Sequence, residues 1–364
     1  MKDSPNLTAA LTFSGSPAGA RPNALQLVTA AVQADRAIYW FIVAYSLAVS
    51  LIGLAVGAQR KVLPLTLYVG AIQLALMLAL FVVAGCGIWA LKSRNALESF
   101  KANLSRAVAH APNLLVLIAL CIFMVVFSSM KQMLTDVVPF YADASLANID
   151  AFLHGHDAWR IAVSVMPVSL VHALEALYLQ FWGASLFAAT IAVLYLPALR
   201  GIRHQYLWTF LIAWTLLGNL IAGCLMSAGP VFYQNVTGSA RFSELMAYLS
   251  AHTHQAWIHG FLWRAYSGLQ PGVTGAGISA FPSMHVASAT LCALVAFRVG
   301  GWLRWVGIAY CASITFGSIL LGWHYAVDGY FSILATVVIW KVVGRRLDRQ
   351  DTTARGSQPP FRQR

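Results

Sequence analysis

The sequence predicts an all-α, polytopic membrane helix bundle of about eight transmembrane helices, and three observations carry that prediction. Of 364 residues, 59% are hydrophobic and only 10% are charged, against roughly 25% charged residues in soluble domains. Mean hydropathy is +0.69. Apolar runs of about 18 residues or more recur along the chain, each long enough to cross a hydrocarbon core about 30 Å thick.

Residues 1–36 are polar, small and Pro/Gly-containing, and lack the basic and apolar regions of a cleavable leader. They read as a flexible cytoplasmic tail ahead of an uncleaved first span. Two N-terminal helices follow within 37–91, at about 37–58 and 63–91. Six more spans fall at about 111–130, 168–196, 206–227, 284–300, 302–323 and 326–343, and a basic cytoplasmic tail closes the chain at 344–364. The five cysteines, Cys86, Cys121, Cys224, Cys292 and Cys311, lie inside apolar stretches without paired spacing. They read as small core residues rather than a disulfide framework or a zinc site.

Net charge is +12, yet no basic cluster interleaves with aromatics outside the spans, which argues against nucleic acid as a partner. Topology accounts for the charge instead, because cytoplasmic loops hold the positive excess. With both termini cytoplasmic, that side receives 18 of the 24 Lys and Arg residues. The outer side keeps Arg60, Lys61, Lys131, Arg160, Arg241 and Arg264. Three polar stretches then converge on the extracytoplasmic face: about 131–167, 228–283 and the turn 322–325.

Ionisable residues at that face are costly to hold and mark function. In "GWHYAVDGY", His324 and Asp328 are four apart, so on a helix the carboxylate lies one turn below the imidazole. Asp328 can accept from one ring nitrogen and leave the other as a nucleophile or base. In "AFPSMHVAS", Pro282 suits the first turn of a helix. The free amides there and the Ser283 hydroxyl form an anion site. His285 is placed to protonate a phosphate's leaving oxygen.

Pro282-Ser283-x-His285 and His324-x-x-x-Asp328, preceded by Lys131 in "MKQMLTDVVP", resemble the three signature motifs of the type 2 phosphatidic acid phosphatase superfamily. The resemblance covers about 111–343 and implies a six-helix catalytic core over that range. It also implies a phosphohistidine on His324, an orienting role for Asp328, general acid chemistry at His285 and phosphate binding by Lys131, without a metal or other cofactor. Both family arginines are absent: their positions hold Val138 in the first motif and Ser318, after Gly317, in the third. Met284 stands where many phosphatases have glycine. "HYAVD", "FPSMH", "SAGPVFY" and "PFYADASLANIDAFLHGHDAW" are similar to the inositol phosphorylceramide synthase branch, whose members move a phosphorylated head group between lipids.

The implied activity is a lipid phosphotransferase acting from a phospholipid or polyprenyl phosphate donor onto a polyol or lipid acceptor. The alternatives are a lipid phosphatase using water and, in another class, a transporter with a His/Asp proton relay. Arg241 and Arg264, in the outer loop leading to Pro282, are the candidates to replace the missing phosphate clamps, with amides around 277–283 as a second source. His154, His156 and Asp157, like His252 and His254, read as solvated turns rather than metal ligands. His172 and Glu175 read as a pair within the fourth span. Leu146, Ile149, Leu153 and Trp159 mark a segment that either lies flat on the membrane or packs in an outer loop.

Overall fold

The structure is a computed structural model, and it describes residues 24–58, 95, 97–101, 110–269 and 277–356. The expected span at 63–91 lies outside these residues. Among the described residues the regular structure is helical throughout. The chain divides into two compact units, one of residues 1–39 and 73–118, the other of 40–72 and 119–364.

In the first unit, α1 runs Ala24–Ala34. It falls in the segment read as a flexible tail. Its sequence, ALQLVTAAVQA, has neither Gly nor Pro and is rich in good helix formers, which explains the difference. Helices α2 (Arg36–Ala55) and α3 (Ala111–Val137) each begin in this unit and continue into the second.

In the second unit, α4 (Asp143–His154) and α5 (Ala158–Val165) follow α3. The long helices α6 (Val168–Tyr195) and α7 (Pro197–Cys224) come next. Then come α8 (Ser243–His252), α9 (Ala256–Tyr266), α10 (Met284–Val299), α11 (Leu303–Leu320) and α12 (Ala326–Gly356). Among the described residues, six helices are long and apolar enough to cross a membrane: α2, α3, α6, α7, α11 and the Ala326–Gln350 part of α12. The protein is a multi-pass, all-α membrane bundle.

Helix α10, expected as a full span, has 16 residues. At 1.5 Å per residue it measures about 24 Å, short of a hydrocarbon core. Its stretch Val286–Leu291 is buried all round, among α6, α7, α11 and α12, while Phe297 and Val299 at its end are exposed. Its small residues admit close neighbours: a Cβ on Gly307 of α11 would come within 2.8 Å of Ala296 Cβ and 3.0 Å of Ala293 Cα. Helix α12 continues to Gly356, so much of the expected basic tail is helix, with no Pro or Gly to stop it between Arg345 and Arg355.

The core of this unit gathers Leu146, Trp159, Tyr178, Phe232, Leu245 and Tyr325, among others, from loops and helix ends. Leu146 and Trp159 are therefore packing residues. Ile149, Phe152 and Leu153 face outward from α4, so the segment combines both readings of it.

Candidate active site

Three segments supply the ionisable residues: Lys131 near the end of α3, His285 at the second position of α10, and His324 in the turn 322–325. Turn 322–325 depends on Gly322, whose φ is +72° and whose Cβ would approach Val231 at 2.9 Å and Leu245 at 3.0 Å. The Val231 amide donates to the Gly322 carbonyl at 3.0 Å, and the His324 amide to Ser318 O at 3.1 Å. Trp323 Nε1–H donates to Gln255 Oε1 at 2.7 Å, while Gln255 Nε2–H donates to Leu321 O at 3.1 Å.

His324 precedes α12, in the turn read from the sequence, so the His-x-x-x-Asp pair joins that turn to the first turn of α12 rather than lying along one helix. Asp328 is the third residue of α12, and its Oδ2 accepts from the Tyr325 amide at 3.0 Å, as in a capping box. The same oxygen lies 3.4 Å from His324 Nδ1. His324 is 6% exposed and Asp328 is fully buried. Burial, with Lys131 nearby, pushes the His324 imidazole down to about 3, so the ring is neutral at physiological pH.

His285 lies between two aromatic rings, stacked on Tyr178 at 4.5 Å and tilted against Trp182 at 4.1 Å between centroids. Trp182 Nε1–H also donates to the His285 carbonyl at 3.2 Å. Tyr178 sits in a π-helical segment of α6, Leu177–Phe181, which interrupts the regular helix just before Trp182. The His285 and His324 centroids are 6.1 Å apart. Lys131, His285 and His324 line one cavity of about 210 Å³, walled by aromatics that include Tyr178, Trp182, Trp214 and Trp323.

The helix start differs from expectation. Helix α10 begins at Met284, Ser283 is its N-cap, and Pro282 lies outside it. Ser283 Oγ accepts from the Val286 amide at 3.3 Å, a task a hydroxyl performs and proline cannot. Ser283 is buried and shapes the site through this cap. Of the amides in 277–283, those of Ala280 and Phe281 donate to Ser227 O (2.8 Å) and Oγ (3.0 Å). Met284 and His285 stand at the helix N-terminus and line the cavity. Their amides fall outside the intrahelical ladder and are the ones left for an anion.

The two arginine candidates are not brought to the cavity. Arg241 pairs with Asp157, its Nη2 at 2.6 Å from Oδ1, and also donates to Asn148 Oδ1 and Ala147 O. Arg264 on α9 folds back over its own helix, its Nη1 3.0 Å from where a Gly260 Cβ would stand. Neither lines the pocket, whereas Leu262 of α9 does. At the vacant family positions, Ser318 is buried and donates to Thr315 O. A Cβ on Gly317 would meet Leu174 at 3.3 Å. Lys131 is the only Lys or Arg among the described lining residues.

A sequence profile described as the PAP2 superfamily matches residues 144–342. The chain belongs to the PAP2 superfamily. Comparison with curated proteins and with solved structures finds no match. Membership supports a lipid phosphatase or phosphotransferase type of function. The PAP2 match contains His285, His324 and Asp328 and begins after Lys131.

Two buried carboxylates that the sequence reading passed over organise this PAP2 site. Asp143 of α4 accepts from the Ala228 amide (2.8 Å), the Gly229 amide (2.9 Å) and the Tyr325 hydroxyl (2.8 Å). Asp150, two turns on, accepts from the Val327 amide at 3.1 Å and so caps α12 just before Asp328. Their spacing of seven residues on one helix was the available signal. Gly277 was missed too. Its Cβ would lie 2.9 Å from the Lys131 carbonyl carbon, so the loop and α3 touch backbone to backbone there.

Proposed function

We propose that this protein is a membrane lipid phosphotransferase that moves a phosphate-linked head group from a lipid donor to a polyol or lipid acceptor. The observation that carries the reading is the pairing of His285 with His324 across a small aromatic-walled cavity, with Asp328 behind His324 and Lys131 on the wall. The His324 nitrogen remote from Asp328 attacks phosphorus. The P–O bond to the leaving group breaks, its electron pair stays on that oxygen, and His285 supplies the proton. The acceptor hydroxyl then attacks the phosphohistidine while His285 takes its proton. The P–N bond breaks with its pair returning to His324.

Lys131 and the amides at the start of α10 hold the negative phosphoryl oxygens, where fixed donors contribute most to rate. Burial of His324 favours transfer over hydrolysis, because a phosphoenzyme shielded from bulk water persists until an acceptor arrives. The similarity of "FPSMH" and "HYAVD" to the inositol phosphorylceramide synthase branch supports the same choice. The site is assigned to the extracytoplasmic face with both termini cytoplasmic, on the distribution of Lys and Arg.

The test is purified protein with a labelled phospholipid, with and without inositol or another polyol. Transfer of the donor's labelled phosphate onto the polyol, or onto an added lipid alcohol as a new phospholipid, with release of the donor's lipid alcohol, is expected; release of the label to water alone, in either condition, overturns transfer. His324→Ala and His285→Ala should each lower turnover by at least about 10²-fold at normal expression. Near-wild-type activity in either removes the assignment.

A further inference from the structure

The fold assembles a second cluster of ionisable side chains outside the catalytic cavity. His172 and Glu175 are one turn apart on α6, and His254, 79 residues further along, precedes α9. His172 Nδ1 lies 3.5 Å and His254 Nδ1 3.6 Å from the same carboxylate oxygen, Glu175 Oε2. The two imidazoles stack at 4.6 Å between centroids. One ligand atom from each residue falls within 4.8 Å of the others.

We propose that His172, Glu175 and His254 bind a divalent metal ion of the zinc type. Zinc takes histidine nitrogen and carboxylate oxygen at about 2.0–2.2 Å in tetrahedral geometry, which separates neighbouring donor atoms by about 3.3–3.6 Å. The two nitrogen-to-oxygen distances match that spacing. Two nitrogen donors favour zinc or a similar transition ion over magnesium or calcium, which take oxygen. Glu175 Oε1 is engaged by the His254 amide at 2.8 Å. This orients the carboxylate and leaves Oε2 facing both rings, as outer-shell hydrogen bonds do at metal sites.

The charge balance argues the same way. Glu175 is 8% exposed, and its partners are the His254 amide and two imidazoles, with no Lys or Arg pairing with it among the described residues. A buried carboxylate requires compensation, and a divalent ion provides it. The histidines are 56% and 80% exposed, so both are accessible and free to adjust, and water can complete the coordination.

An ion there would tether α6 to the segment before α9. Glu175 is three residues from Tyr178, which stacks on His285. His254 adjoins Gln255, which holds Trp323 and Leu321. The ion would therefore steady two walls of the cavity without entering the reaction.

The experiment uses tag-free, full-length protein in detergent, stripped with a chelator and dialysed. Zinc is titrated by calorimetry, and cobalt(II) substitution is followed by visible absorption. One equivalent of zinc and a cobalt spectrum of tetrahedral intensity are expected. His254→Ala and His172→Ala, both at exposed positions, should each weaken zinc binding by at least about tenfold, the lower end of the loss when even an outer-shell partner is removed. Zinc should raise the melting temperature of the wild type and not of the double variant. Absence of zinc binding, or equal binding by wild type and the double variant, overturns the proposal. Neither readout uses a lipid substrate, so the outcome stands apart from that of the transfer assay.

Discussion

A buried imidazole acts as a nucleophile when its ring is neutral and one nitrogen faces an acceptor; burial keeps His324 neutral, and its Nδ1 stands 3.4 Å from Asp328 Oδ2 without a formed hydrogen bond. We expect Asp328→Asn to lower turnover by about 10²–10⁴-fold in steady-state assays, the usual range for acid–base partners. A fall of less than tenfold would reduce Asp328 to the helix cap it also forms. Gly277→Ala tests Lys131 without altering its charge. The added methyl would press on the Lys131 backbone from 2.9 Å and shift the ammonium. Weaker binding of a phosphorylated substrate, seen as a higher KM with intact expression, is expected. Unchanged kinetics would show that the backbone contact does not position Lys131.

Helix α4 acts as a bracket rather than as a loop decoration. Through Asp143 it holds residues 228–229 and Tyr325, and through Asp150 it holds the start of α12. Asp143→Ala would strand two buried amides and a hydroxyl, each costing about 1–3 kcal/mol. A marked loss of thermal stability and of activity together is expected; a wild-type melting temperature would contradict the bracket.

Helix α9 carries the pH dependence that is simplest to isolate. His259 is buried against Trp323, at 4.8 Å between rings, and burial lowers it to about 4. Its neutral form is favoured in the folded state, so the stability it contributes is complete above about 6.5 and is lost as pH falls toward 4. His324 acts in the same direction. Asp143 and Asp150, raised by desolvation against their hydrogen bonds, act in the opposite one. His259→Leu should therefore shrink the fall in melting temperature between pH 7 and pH 5. An equal fall in variant and wild type would refute this assignment.

At the scale of the whole molecule, the arginines of the 228–283 stretch separate scaffold from chemistry. Arg241 ties that stretch to Asp157 and α4, so Arg241→Ala should lower the melting temperature while leaving turnover of folded protein within about twofold. Arg264→Ala should leave turnover unchanged within the same margin. A large loss of turnover in the Arg264 variant would return it to the phosphate site. The membrane class, the helices from α2 onward that fall in apolar runs, and the group His285, His324 and Asp328 were legible in the sequence alone. Composition and apolar run length report directly on the solvent a segment requires, and these three ionisable residues sit in short local motifs. What only the tertiary structure decided was which residues share a volume. It turned Ser283 into a cap, drew Arg241 to Asp157, seated His285 between Tyr178 and Trp182, and brought His254 to Glu175. Those pairings join residues from three to more than a hundred positions apart. Apart from the local cap, they are set by how helices pack, which leaves no periodic trace in the chain.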